Sequence, residues 1–148
     1  MTQNMPAHPP IADLADRLAR AQAATVAVGA NALLITPGAD LRYLTGYDAV
    51  PLERLTCLIL MAEGDHVMMV PRLEVEAAKA SPIGELGLIV AYWDETDNPY
   101  SKVARLLSGH GWVGLDNHMW AEKVLHFREV MPEVVQGLAG VVLQDLRM

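Results

Sequence analysis

Three short apolar runs dominate the first half of the chain: Ala32-Leu33-Leu34-Ile35, Leu55-Thr56-Cys57-Leu58-Ile59-Leu60-Met61 and His66-Val67-Met68-Met69-Val70. Each has the length of a buried strand, and none approaches the ~20 residues a membrane span needs. Thr36-Pro37-Gly38 ends the first run. Ala62-Glu63-Gly64-Asp65 joins the second to the third. A short glycine-containing link between two strands predicts an antiparallel hairpin.

The remaining segments read in turn. Ile11, Leu14, Ala15, Leu18 and Ala21 recur at three- and four-residue spacing, the stripe of an amphipathic helix that Gly29 and Asn31 bring to a stop. Asp40–Gly46 reads as a single helical turn closed by glycine. Leu73–Ala80 is helical in composition and ends before Ser81-Pro82, and Leu88–Ala91 is a strand. Asn98-Pro99 is an N-cap followed by proline at the first helical position, with Val103, Leu106 and Leu107 as the buried face. Trp112–Leu115 is a strand, and Trp120, Val124, Phe127 and Met131 make the stripe of a helix that Pro132 stops. Val141-Val142-Leu143 predicts a final strand. Alternating strands and helices pair in parallel through helical crossovers, so with the hairpin the sheet is expected to be mixed. The expectation is a single α/β domain over residues 11–148, a mixed sheet flanked by helices, preceded by a flexible, proline-rich tail, Met1–Pro10.

Composition removes several function classes. The 148 residues carry 11 Lys+Arg against 18 Asp+Glu, a net charge of −7. This balance argues against a nucleic-acid surface and against a polybasic membrane patch. Met1–Pro10 lacks the basic start and apolar core of a signal peptide. The lone Cys57 has no internal disulfide partner, so a reducing cytoplasm is expected.

Motifs for catalysis fail on context. Gly109-His110-Gly111-Trp112-Val113-Gly114 matches G-x-G-x-x-G, but a helix precedes it and a strand follows, the reverse of a dinucleotide site. His118, Glu122 and His126 share a helical face. The outer two, however, stand about 12 Å apart along the axis, too far for one ion. Asp94, Thr96 and Asn98 lack the later positions of a calcium loop. Ser81, Ser101 and Ser108 stand outside G-x-S-x-G. Cys57, within an apolar strand, reads as an inert thiol. Asp94, Glu95 and Asp97 read as a solvated loop with helix N-terminal charge, and the methionines, Met68 and Met69 among them, as core filling. Trp93-Asp94 follows a strand end, where ligands gather in α/β sheets, although packing is the first expectation for the indole.

One segment carries a resemblance. Asp40-Leu41-Arg42-Tyr43-Leu44-Thr45-Gly46-Tyr47, then Glu53-Arg54 and a hydrophobic strand, resembles the N-terminal domain of the creatinase/prolidase/aminopeptidase P family, the pita-bread metallopeptidases. Pro71-Arg72-Leu73-Glu74 opening a helix, Trp112-Val113-Gly114-Leu115-Asp116 as a strand, and the closing Leu143–Met148 run in the same order as that family. The resemblance implies the creatinase N-terminal, ribonuclease H-like fold. It also implies that this chain alone is inactive and holds no cofactor. In the family, a C-terminal pita-bread domain carries two Asp, one His and two Glu that bind two divalent ions, commonly manganese or cobalt, and a metal-bound hydroxide cleaves the bond before proline. By the same resemblance, this half serves oligomerisation, as a homodimer or larger homo-oligomer, and gates the pocket for a proline-containing peptide. The covering loop would run from Tyr47 to Arg54, with Tyr47 stacking on a substrate ring, Arg54 pairing with a substrate carboxylate and Asp48 at the mouth. A creatinase-type C–N hydrolase and a stand-alone binding module are the competing readings.

Overall fold

The computed structural model describes residues 8–107 and 111–146. A six-stranded sheet with spatial order β4-β3-β2-β1-β5-β6 forms the middle layer. Its strands are β1 (Ala32–Ile35), β2 (Cys57–Met61), β3 (Val67–Pro71), β4 (Ile89–Trp93), β5 (Trp112–Leu115) and β6 (Val135–Leu138). Only β2 runs antiparallel to its neighbours; β3 pairs with β4, β1 with β5 and β5 with β6 in parallel. The fold is therefore a single α/β domain with a mixed sheet flanked by helices.

Strand alternation supplies two cores from one sheet. Ala32, Leu34, Cys57, Ile59 and Met69 point to one face. There they meet Val103 of α5 (Pro99–Arg105) and Phe127 of α6 (Ala121–Val130). Leu33, Ile35, Leu58, Leu60 and Met68 point to the other face. There they meet α1 (Ile11–Ala27), α2 (Ala39–Thr45), α3 (Val75–Ala80), α4 (Pro82–Glu85) and α7 (Gly140–Leu146). Leu14, Leu18 and Ala21 form the buried stripe of α1. Of the expected N-terminal tail, residues 1–7 lie outside the described residues, and the Pro10 carbonyl accepts the first amides of α1, from Asp13 and Leu14.

Three sequence expectations are corrected. The segment 40–46 forms two helical turns rather than one, because Leu41, Leu44 and Thr45 are buried against α1 and the sheet. Gly46 closes it at φ +74, donating to the Arg42 carbonyl at 2.8 Å. A side chain there would crowd His8, Leu14 and Pro82, so glycine serves both the left-handed turn and the close approach. Secondly, α3 starts at Val75, after a 3-10 turn over Arg72–Glu74. Thirdly, Val141-Val142-Leu143 is not the final strand. It lies in α7, and the last strand is Val135–Leu138. Val142 and Leu143 are both buried while Val141 is exposed. The segment starts where Asn117 Oδ1 accepts the Gly140 amide, and Val142 and Leu143 share the helical face turned to the core.

Two polar contacts stitch the sheet. The Asp116 carboxylate, just past β5, accepts from the Thr36 amide (2.7 Å) and hydroxyl (2.6 Å), just past β1, and from the His118 amide (3.0 Å). In the β2–β3 connection the Met61 amide donates to His66 Nδ1 at 3.0 Å. Burial lowers the pKa of His66, with Asp65 opposing, so the folded state holds a neutral ring.

Asp116→Asn turns an acceptor into a donor facing one of three amide or hydroxyl donors, and should cost about 1–3 kcal/mol in denaturant unfolding with an unchanged m-value. The folded pKa of His66 lies below its unfolded value near 6.5, so its contribution is present above that pH and is lost as pH falls through the folded value. His66→Asn should therefore flatten the stability-against-pH curve on the acid side, measured by thermal unfolding between about pH 7 and pH 5.

Candidate functional site

The long connection between α2 and β2, residues 46–56, lies at the end of the sheet where β3 and β4 finish. With Pro71, Glu74 and Ala77 it encloses a cleft of about 260 Å³. Tyr47, Asp48 and Arg54, the three residues singled out from the sequence, all line it. A second depression of about 220 Å³, between Arg54, Leu73, Trp93 and Glu95, continues from it. Around both, Val50 (69% exposed), Leu52 (51%) and Leu73 (82%) leave an apolar rim uncovered within this chain.

Each candidate has a defined setting. Tyr47 is buried rather than projecting, and its amide donates to Thr45 Oγ1 at 3.1 Å. Burial, reinforced by the negative charge of Glu74, pushes its phenol pKa up. Asp48 pairs with Arg42 at 3.3 Å on the surface. Arg54 pairs with Glu95 at 2.7 Å and not with the nearby Asp48 or Glu53, so it bridges the 46–56 loop to the loop after β4. The acidic trio there is paired rather than simply solvated. Besides Glu95, Asp94 meets Arg72 at 3.3 Å and Asp97 meets Lys102 at 3.3 Å. The Asp94 amide also donates to Asp97, which together with Lys102 holds that carboxyl below its ordinary range.

Two buried side chains fix the loop's main chain. Trp93, the last residue of β4, donates from Nε1 to the Leu55 carbonyl at 2.9 Å. Lys123, on α6 and only 4% exposed, donates from Nζ to the carbonyls of Leu52 (2.7 Å) and Glu53 (3.2 Å). Its ammonium also sits 4.4 Å from the centre of the Trp120 ring. Burial lowers the Lys123 pKa, while Glu122 and Glu53 act the other way. Lys123 was absent from the sequence-derived candidates. A signal existed, because it lies four residues before Phe127, on the buried face of that helix, whereas Trp120, expected on the same stripe, is 42% exposed.

The other motifs do not assemble a reactive centre. Cys57 is fully buried, and burial pushes its thiol pKa up. Glu122 faces His126 at 3.7 Å, and the His126 ring packs on Tyr100 at 4.7 Å. Gly111, at φ +90, leads directly into β5. Ser108, Gly109 and His110, like Arg147 and Met148, lie outside the described residues. Among the described residues no group of three or more His, Cys, Asp or Glu could hold a metal, so they do not fit a two-ion centre. No helix among them is long and apolar enough to cross a membrane. The arrangement can bind and orient a polar, partly apolar group; it offers no activated nucleophile at the cleft.

These features define an α/β domain with a charge-paired cleft and an uncovered apolar rim at one end of a mixed sheet. Residues 17–148 match the Creatinase/Prolidase N-terminal domain family, and the chain belongs to it. Over 135 residues it is 50% identical to the "Probable dipeptidase PepE" of Mycobacterium bovis, an alignment covering 90% of this chain and 36% of that protein. The crystal structure of dipeptidase PepE from Mycobacterium ulcerans superposes with a TM-score of 0.88 at 39% identity, over 95% of this chain and 38% of that one. A recombinant prolidase from Thermococcus sibiricus superposes at 0.78 and 26% identity, over 90% and 36%. The chain thus spans little more than a third of the length of these relatives.

Proposed function

We propose that this chain is the N-terminal, non-catalytic domain of a Xaa-Pro dipeptidase of prolidase type. In this reading a C-terminal pita-bread domain carries two divalent metal ions, manganese or cobalt, and the chemistry. Residues 46–56 form one wall of the substrate mouth, and the domain also contributes to a homo-oligomer. The observation that carries the reading is the cleft itself. Arg54, Asp48 and Tyr47 converge on it, and the Val50–Leu52–Leu73 rim beside it is left for another surface to cover. An arginine there suits the C-terminal carboxylate of a short peptide, and a tyrosine-lined wall suits a proline ring. A cytoplasmic setting fits a single, buried, unpaired cysteine.

The test compares the 148-residue chain with the full gene product on Xaa-Pro dipeptides and on creatine. Proline release by the full product alone, abolished by a chelator and restored by manganese or cobalt, is the expected result. Creatine turnover would instead identify a C–N hydrolase, and inertness towards both substrates would identify a binding module. In the active protein, Arg54→Ala should lower kcat/KM by about tenfold or more, and an unchanged value would remove Arg54 from the mouth.

A further inference from the structure

A lysine on α6 buried to 4% exposure beside the loop needs a reason, because an apolar residue would pack there without the desolvation penalty of an ammonium. The partners of Lys123 supply it. Its Nζ meets no carboxylate in a direct ion pair among the described residues; it reaches two consecutive main-chain carbonyls, Leu52 and Glu53, and the face of Trp120. Two carbonyls in a row on an irregular segment lack the ladder partners that a strand or helix would give them. An ammonium with three donors can satisfy both at once, and it does so from a helix packed into the core through Phe127.

We infer that Lys123 is the positioning residue of the 46–56 loop. It fixes the main chain immediately before Arg54, so that the guanidinium is presented at the cleft from a rigid base. This inference deepens the reading of that loop as a substrate wall and rests on it for its functional meaning, though not for its structural test. Among the described residues the Arg54 side chain pairs with Glu95 at the surface, so without Lys123 the stretch next to Arg54 would be tethered through Trp93 at Leu55 and through that exposed ion pair, the Asp48–Arg42 pair and buried Tyr47 lying further back along the loop.

Amide hydrogen exchange on the 148-residue chain tests the inference. Lys123→Met should raise exchange at residues 52–56 by about tenfold or more, with little change in β1 and β5, and Lys123→Arg should restore part of the protection. Unchanged exchange at 52–56 in Lys123→Met would overturn the inference. Should that variant fail to fold, the wild-type ammonium resonance decides. Slow proton exchange at Lys123 Nζ relative to the exposed Lys79 supports the anchor, and equally fast exchange overturns it. In the full gene product, Lys123→Met should raise KM for an Xaa-Pro dipeptide more than it lowers kcat. Loosened exchange with an unmoved KM would leave the anchor standing and remove the loop from the substrate mouth.

Discussion

The structure turns on the carboxylate of Asp116. It sits at the exit of β5 and accepts the Thr36 amide and hydroxyl at the exit of β1, so it ties two central parallel strands where their own ladder ends. Burial pushes its pKa up while three donors pull it down, the balance expected of a buried acid held by hydrogen bonds without a cation. The residues around it extend the same knot. Asn117 Oδ1 accepts the Gly140 amide and so starts α7, and a Cβ at position 140 would collide with that amide group. The Asp116 carbonyl accepts the Met119 amide on the way into α6. One short turn thereby sets two strands, the origin of α7 and the approach of α6. Through α6 it sets the position of Lys123.

This arrangement explains why the candidate cleft lies where it does. Five strands finish at this end of the sheet, while β2 alone starts there, so the chain must enter β2 by crossing the strand ends. The crossing segment is 46–56. Its polar backbone cannot join the sheet, and the structure satisfies part of it from buried donors on β4 and α6. The opposite faces of the sheet are filled by helices, leaving this rim as the place where Val50, Leu52 and Leu73 stand uncovered.

Contiguous apolar runs were readable without the structure because burial on both faces leaves them no polar alternation. This holds for β1, β2 and β3, and local capping chemistry was readable in the same way at Asn98, whose side chain accepts from Tyr100 and Ser101. Val135–Leu138 was not readable. It is an edge strand with its first and last residues exposed and a glycine inside, so neither alternation nor an apolar run marks it. Val141–Leu143 has the composition of a strand, and only Asn117, distant in sequence, makes its neighbour a helix start. At the site the residue types were legible and the partners were not. Arg54 has acidic neighbours in sequence, yet it reaches Glu95, because packing of the β4–α5 loop against 46–56 brings that carboxylate closer.

The two ways this loop is held differ in strength, and the difference bears on what the cleft can do. The Arg54–Glu95 pair has side chains 47% and 70% exposed, and an ion pair so open to water contributes about 0–1 kcal/mol. An arriving carboxylate can therefore take the guanidinium from Glu95 at little cost. Trp93, by contrast, binds the Leu55 carbonyl within the core, where an unsatisfied acceptor costs about 1–3 kcal/mol, and Lys123 reaches the half-buried carbonyls of Leu52 and Glu53 from a buried position on α6. The backbone is fixed by buried donors while the charged tip is restrained by an exchangeable surface partner. If the loop serves as the proposed substrate wall, that division suits it: the rigid part would supply preorganisation, and the weakly held part could change partners when a ligand arrives.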